Sequence, residues 1–367
     1  MMPCNVSKPV LFPSTTMSMI EAPIHVALIM AGDEEGGLEK HVVDLAGALP
    51  DHGIQITVIA HPKYGPRFRK GVGFIAAPLH LSRRDPRALW ALLSALRKLR
   101  PAVIHTQAHK ATSMVHTIRR WLPPARWVGT VHNLKRRNDI FSCCQVVIGV
   151  SRGVANHTGL FQARVIYNGC SKADPPSSSE VVRFRQELEF PLTRPLWLAV
   201  GRLVSAKAFG MLLDSWARLP DAPNLMIAGD GPEQPCLQRQ LARLELRDRV
   251  RLLGHRTDVP ILLAACDGVV ISSHREGFSY VMAEGLLARK PVLATRVPGP
   301  AELLPAGCLT DPGDAEGMTA MLQANLADPS ALRTHFAPVW DWACKHLTLT
   351  AMATQYANLY RELTKAS

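Results

Sequence analysis

The sequence predicts an α/β protein of two doubly wound, Rossmann-like domains that face a central cleft and are followed by a helical C-terminal tail. Three observations carry this. The chain has 367 residues, more than one hydrophobic core usually serves. Short β-branched runs alternate with amphipathic stretches in both halves. A polar segment rich in Ser and Pro, SKADPPSSSEV at 171–181, divides the halves and reads as a linker.

In the first half the candidate strands are 24–30, 54–60, 73–78, 102–106, 127–131, 146–150 and 164–167. Residues 38–49 and 87–99 place apolar side chains at helical spacing between them. The second half repeats the scheme, with strands at 196–200, 224–228, 250–253, 268–272 and 291–294 and helices at 209–219, 234–244, 259–266 and 280–288. Strands that are apolar throughout and alternate with helices imply parallel sheets covered on both faces. After Pro312 the chain reads as helical, with a long stretch from about residue 330 to 365. The expected domains are 23–170 and 182–345, with 346–367 a helix that crosses back to the first domain. Residues 1–22 read as a disordered extension, with Met17 or Met19 as the true start.

Composition narrows the class. Apolar residues make up 47% and charged residues 20%, which excludes whole-chain disorder. No apolar run approaches the roughly 18 residues needed to cross a bilayer. The first twenty residues lack the charged start and apolar middle of a secretory signal, so a cytoplasmic location is expected. Eight cysteines stand at 4, 143, 144, 170, 236, 266, 308 and 344 without a CxxC pair. They read as reduced, buried thiols rather than metal ligands. His105 and His109 have helical spacing but straddle a strand end, so no metal site is expected there.

The formal charge is +12. Residues 1–170 carry 21 Lys and Arg against 9 Asp and Glu, while 171–367 carry 21 against 21. All the excess lies in the first half, which suits an anionic partner such as a membrane face or a phosphorylated lipid or glycan. Nucleic acid is the other anionic candidate. No helix-turn-helix, zinc finger or RNP-like aromatic motif supports it, and no nucleic-acid partner is expected.

In doubly wound sheets ligands bind beyond the carboxyl ends of the strands, so the turns after strands deserve the closest reading. Gly201–Arg202 follows the strand LWLAV and Lys207 comes just before the next helix. Two cations there could grip a diphosphate, one as a planar fork and one as a point charge. Two solvated surface cations are the plain alternative. Gly229–Asp230–Gly231–Pro232 and Gly254–His255–Arg256–Thr257–Asp258 also follow strands; each alone is an ordinary turn. The strongest feature is EGFSYVMAE, from Glu276 to Glu284. Carboxylates accept hydrogen bonds from sugar hydroxyls. The free N–H groups of Gly277, Phe278 and Ser279 at the helix start suit a phosphate or a sugar oxygen. Glu276 could equally be a cap and Glu284 a solvated residue. Yet Glu284 sits among Met282, Ala283, Leu286 and Leu287, where a carboxylate is costly without a partner.

The order GR…K, GDGP, GH…D, EGFSYVMAE closely resembles the retaining GT-B glycosyltransferases of family 4, whose signature is two glutamates separated by seven residues. In the first half, Gly36–Gly37–Leu38–Glu39–Lys40–His41 is similar to the family's first loop and VIYNG at 165–169 to its strand before the linker. The likeness runs from about residue 23 to 365 and includes enzymes of the lipopolysaccharide-core type. It implies that Arg202 and Lys207, with Gly201 at the turn, hold the donor diphosphate and that Glu284 binds the ribose. It gives Glu276 the hydroxyls of the transferred sugar and the backbone at His255 and Arg256 the base. Gly36 and Gly37 would let the first loop approach the phosphates. His132, in TVHN, matches a position beside the donor sugar, with a buried structural histidine as the alternative.

Two departures stand out. Ala206–Lys207–Ala208 replaces a common Glu-Lys-Gly, and Pro298–Gly299–Pro300 replaces a usual Gly pair, which puts the loop contacts near Glu302 in question. The resemblance implies hexose transfer with retained configuration from a nucleoside-diphosphate sugar, UDP-linked by preference, to a glycan or lipid-linked acceptor in cell-surface polysaccharide or lipopolysaccharide synthesis. It requires no cofactor and no metal. A pyridoxal-phosphate GT-B phosphorylase is the enzymatic alternative, for which the chain is short. A Rossmann oxidoreductase is disfavoured because AGDEEGGLEK lacks GxGxxG. The acceptor belongs on the basic first half. The stretch 83–100, with Trp90 and basic ends, reads either as an amphipathic helix on an anionic membrane at its cytoplasmic face or as a helix packed on the sheet. Lys135–Arg136–Arg137 is a second basic cluster, suited to a phosphate on the acceptor.

Overall fold

The computed structural model describes residues 23–134, 138–171, 175–191 and 193–365. The expected N-terminal extension and the Lys135–Arg136–Arg137 cluster lie outside the described residues. The first sheet contains β1 (Ile24–Met30), β2 (Ile54–Ala60), β3 (Gly73–Ala76), β4 (Val103–Gln107), β5 (Arg126–Val131), β6 (Val146–Gly149) and β7 (Ala163–Val165), ordered 3-2-1-4-5-6-7. The second contains β8 (Leu196–Val200), β9 (Asn224–Ala228), β10 (Val250–Gly254), β11 (Gly268–Ile271), β12 (Val292–Thr295) and β13 (Leu309–Thr310), ordered 10-9-8-11-12-13. Every strand pairing is parallel. These are two Rossmann-like domains, each with a break in strand order, at β1/β4 and at β8/β11.

The apolar run of β1 shows why such strands are continuous in sequence. Val26, Leu28 and Met30 pack with the helices Gly37–Ala48 and Leu349–Lys365, while Ala27 and Ile29 face Pro86–Leu99 and Ala108–Ile118 on the other side. Alternate side chains of one strand thus serve two cores.

Several expectations need correction. Residues 178–181 are helical, not linker: Ser177 caps Ser178–Glu187 and Glu180 returns the bond, so the polar composition there is a capping box. The C-terminal stretch is two helices, Pro329–His346 and Leu349–Lys365. They part where Cys170 bonds through its N–H to Leu347 O at 2.9 Å and through its C=O to Leu349 N at 3.0 Å. The two crossings between domains therefore run side by side. The two-residue β13 was too short to show a pattern. Cys236 and Cys344 are exposed rather than buried.

The helix Pro86–Leu99 buries its apolar face, with Ala88, Leu92 and Leu96 fully covered. That stripe is unavailable to a bilayer. Only the outer face is free, where Trp90 is 71% exposed between Arg87 and Arg97.

The last helix returns to the first domain. Met352, Tyr356 and Tyr360 are fully buried against Val26 and Leu28, and Glu362 takes both guanidinium arms of Arg164 at 2.7 Å. Met352→Ala should therefore destabilise the N-terminal domain by about 2–5 kcal/mol. Hydrogen exchange should record the loss in β1 and β2 and not in β8 and β9; a loss confined to the second sheet would contradict the packing.

Candidate active site

The two central strands of the second sheet, β8 and β11, diverge into loops that meet again. Ser272 Oγ donates to Lys207 O at 2.8 Å, and His274 N to Ala206 O at 2.9 Å. On this brace the Lys207 ammonium donates to Glu276 Oε1, which also accepts from Ser273 Oγ at 3.2 Å. The Lys207 stem runs along Gly201, where a Cβ would lie 3.1–3.5 Å from it. The Glu276 side chain is only 8% exposed, and these partners offset the cost of burying it. Immediately beyond, Ser279 caps Tyr280–Leu287 by accepting from Met282 N at 3.4 Å. The N–H groups of Gly277, Phe278 and Ser279 donate to no acceptor among the described residues. A cation, a carboxylate and a row of N–H groups thus share the break in strand order, where such sheets take ligands.

Neighbouring loops support this corner. The turn after β9 stacks on the turn after β8: Leu203 N donates to Asp230 O at 2.6 Å, and Gly201 N to Ala228 O at 3.0 Å. Gly229, at φ +145°, must be glycine because a Cβ would strike the Gly201 carbonyl. Arg202 is exposed and lies within electrostatic reach of Glu39 in the first domain. His255 is exposed, and Arg256 is held by Asp258, with Nε donating to Oδ1 at 2.8 Å. Glu284 lies on the helix that follows, Tyr280–Leu287. It lines a cavity of about 350 Å³ with Val259, Pro260, Leu263, Leu287 and Pro175.

The first domain closes over the corner. Gly277 lies against the His132 carbonyl so tightly that a Cβ would collide with it, and its own C=O accepts from Ser151 Oγ at 2.7 Å. Gly36 precedes and Gly37 opens the helix Gly37–Ala48, with Gly37 against the Tyr280 ring. Lys40 on that helix reaches Glu284 at 3.9 Å and Asp44 at 3.1 Å. Burial opposes the Lys40 charge, but Asp44 and Glu284 outweigh it and its pKa is raised. Burial raises the Glu284 carboxyl against the pull of Lys40, and burial likewise raises Glu39. Phe278 sits between the Tyr167 and Tyr280 rings, each at 6.3 Å. Glu302 crosses the other way, accepting from Arg152 N at 2.9 Å. Burial pushes its carboxyl up to about 7 against the pull of the Arg152 and Gly153 N–H groups.

Behind His132 lies a buried polar line. His132 Nε2 is 2.7 Å from Gln107 Oε1, Gln107 Nε2 is 3.1 Å from His105 Nε2, and His105 Nδ1 is 2.7 Å from the Tyr360 hydroxyl. His41 meets the His132 ring edge-on at 4.9 Å. Burial drives all three imidazoles down: His41 to about 4, His105 to about 3, His132 well below its usual range. All are neutral near pH 7. His132 is therefore both embedded and at the seam.

Reasoning from sequence had not singled out Gln107, Ser151 or Tyr360. A buried Gln at a strand end and a Tyr in an amphipathic helix carry no local signal; only the crossing of the last helix brings them together. His105 proves to be a core residue in this line, and no cluster of metal-ligating type occurs among the described residues.

Fold and site define a class: a GT-B glycosyltransferase. Two family models match, "Glycosyltransferase Family 4" over residues 35–173 and "Glycosyl transferases group 1" over 194–328. The chain belongs to this glycosyltransferase family. It is similar to the lipopolysaccharide core biosynthesis glycosyltransferases LpsE and LpsD of Rhizobium meliloti. LpsE is 29% identical, covering 83% of this chain and 89% of the relative; LpsD is 27% identical, covering 82% and 87%. Its fold matches the crystal structure of Anabaena HepE in complex with UDP and glucose, with a TM-score of 0.78 and 21% identity over 92% of this chain and 100% of that one.

Two opposed proton linkages follow from the buried groups. Unfolded, His41 and His105 take a proton near 6.5; folded, only near 4 and 3. The unfolded state binds more protons in that window, so stability falls as pH drops below about 6.5. Glu302 acts oppositely: folded near 7 and unfolded near 4.5, it gives the native state the extra proton and favours the fold on acidification. Glu302→Gln removes only this second part. Its Tm should fall more steeply than wild type from about pH 7 to pH 5; parallel curves would disprove the Glu302 contribution.

Proposed function

We propose that this enzyme transfers a hexose, with retained anomeric configuration, from a nucleoside-diphosphate sugar to a hydroxyl of a lipopolysaccharide-core or other lipid-linked glycan acceptor. The observation that carries the reading is the Lys207–Glu276 pair beside the free N–H groups of Gly277, Phe278 and Ser279. Arg202 and Lys207 take the departing diphosphate, with Gly201, Gly36 and Gly37 letting its oxygens come close to the backbone. Glu276, oriented by Lys207, holds hydroxyls of the transferred sugar, and His132 lies beside that sugar. Glu284 meets the ribose at the mouth of its cavity, and the backbone at His255 and Arg256 meets the base. The UDP bound to Anabaena HepE and the lipopolysaccharide role of LpsE and LpsD favour a UDP-sugar and a core-type acceptor.

The scheme assigns no carboxylate as nucleophile or acid. The proposed step breaks the C1–O bond to the diphosphate while the acceptor oxygen bonds to C1 from the same face, and a phosphate oxygen takes the acceptor's proton. The protein's contribution is electrostatic: two cations and a helix start stabilise the charge on the leaving group, so the scheme needs no divalent metal. Lys207→Ala or Arg202→Ala should lower kcat by roughly 10²-fold or more, scored on a panel of UDP-, GDP- and ADP-sugars by donor hydrolysis. Unchanged kcat in either variant would remove its role, and indifference to every sugar nucleotide would remove the whole reading.

The basic first half supports a peripheral contact with an anionic membrane on the cytoplasmic side. Trp90 (71% exposed) and Trp121 (55% exposed) stand among Arg87, Arg97, Arg119 and Arg120, and Arg97 Nε donates to Trp121 O at 2.9 Å. No described helix is long and apolar enough to cross a membrane, so attachment would rest on this face, at about 1 kcal/mol per cation near an anionic surface. Flotation with phosphatidylglycerol vesicles at low salt should carry the enzyme and fail with Trp90→Ala/Arg97→Glu; equal flotation of both would exclude this face.

A further inference from the structure

Glu284 is a covered carboxylate with little of its own domain to hold it. Its side chain is 23% exposed, and no hydrogen-bond donor among the described residues reaches its carboxyl oxygens. The cavity walls beside it, Val259, Pro260, Leu263 and Leu287, are apolar. Lys290 lines the same cavity, but its ammonium is taken by the Ala264 and Cys266 carbonyls at 3.3 and 2.6 Å. A carboxylate so placed is costly unless a nearby charge or the donors of a ligand compensate it.

The compensating charge comes from the first domain. Lys40, on the helix Gly37–Ala48, places its ammonium 3.9 Å from Glu284 Oε1, 3.1 Å from Asp44 Oδ2 and 5.4 Å from the centre of the Tyr280 ring. Gly37 rests on that ring and sets how closely the helix approaches. The 3.9 Å separation has a consequence for chemistry. It is beyond hydrogen-bond reach, yet an opposite charge at about 4–6 Å still favours an ionised carboxylate. Lys40 thus balances the charge and leaves the Glu284 oxygens open to hydroxyl donors. The remaining titratable neighbours do not help. Asp44 pushes the Glu284 carboxyl up, and burial keeps the Cys170 thiol and the Tyr280 hydroxyl protonated near pH 7. Burial itself raises Glu284, and Lys40 is the one described group that draws it down.

We propose that Lys40 is a positioning residue for the donor: reaching across from the first domain, it balances the charge of Glu284 and leaves both carboxyl oxygens for the ribose hydroxyls, so this contact is complete only where the domains meet. The proposal rests on Glu284 meeting the ribose. Hydrogen bonds to an ionised acceptor are roughly twice as strong as neutral ones, so protonating Glu284 loosens the grip on the nucleotide while the shape of the site stays. The Lys40 ammonium keeps its proton throughout, because Asp44 and Glu284 outweigh its burial. Removing Lys40 therefore raises the Glu284 carboxyl further, and removing the Asp44 charge lowers it. As pH falls, Lys40→Met gives up the nucleotide sooner than wild type and Asp44→Asn later.

The carboxyl carbon shift of Glu284, assigned by its loss in Glu284→Gln, reports the coupling in the enzyme without ligand. Its titration midpoint should rise in Lys40→Met, stay near wild type in Lys40→Arg and fall in Asp44→Asn. A lysine that merely fastened the domains would leave the midpoint in place, or Lys40→Met and Asp44→Asn would move it the same way; either result overturns the proposal. Calorimetric binding of UDP is the second readout. Lys40→Met should weaken UDP by about threefold to tenfold more at about pH 6 than at about pH 8.5, and this difference should vanish in a Glu284→Gln background. An equal loss at both pH values overturns the role of the Lys40 charge. The comparison with 2′,3′-dideoxy-UDP, which lacks both ribose hydroxyls, tests the placement beneath the proposal. Midpoints that move as expected while wild type binds UDP and its dideoxy form alike refute Glu284 at the ribose, and with it the part of Lys40 in donor binding.

Discussion

The meeting of Lys207 and Glu276 at the break between β8 and β11 is the interaction on which the site depends. A carboxylate as covered as Glu276 is costly to bury without partners. The ammonium of Lys207 and the hydroxyl of Ser273 supply the compensation. Parallel strands fanning apart at a change of direction leave a crevice, and the brace between Ser272 and Lys207 O holds its two lips at a set spacing. A charged pair so held keeps a cation and a carboxylate fixed within one corner.

The second constraint is the seam. Gly277 touches the His132 carbonyl and is bonded by Ser151, Gly37 touches Tyr280, and Lys40 reaches Glu284. The loops that form the corner are thus also the loops that join the domains. The tight approach permits no side chain at Gly277, and the neutral histidines behind it keep that wall free of charge near pH 7. The departure at Pro298–Gly299–Pro300 fits here. Pro298 lies against Gly153, and Glu302 caps the N-terminus of Arg152–His157, so this loop is used to fasten the domains.

Much of the fold could be read from residue patterns. Continuous apolar strands imply burial on both sides, and their alternation with helices implies parallel order. Ends were misplaced by a few residues, most clearly at 178–181, where Ser and Glu act as a cap. The turns that carry Lys207 and Glu276 were legible because ligands of such sheets gather at strand ends; the pairing of the two side chains was not. The face of Pro86–Leu99 was less so: the pattern shows an apolar stripe but not what covers it.

The amino-acid order by itself determined two parallel α/β domains and the loops that carry cations and carboxylates, because periodicity and turn chemistry are local properties of the chain. Tertiary structure alone decided that Tyr360 and Gln107 stand behind His132. It also decided that Glu284 faces Lys40. Such contacts join residues far apart along the chain, and they are selected by how two cores pack and where two crossings run side by side, information that no short stretch of residues contains.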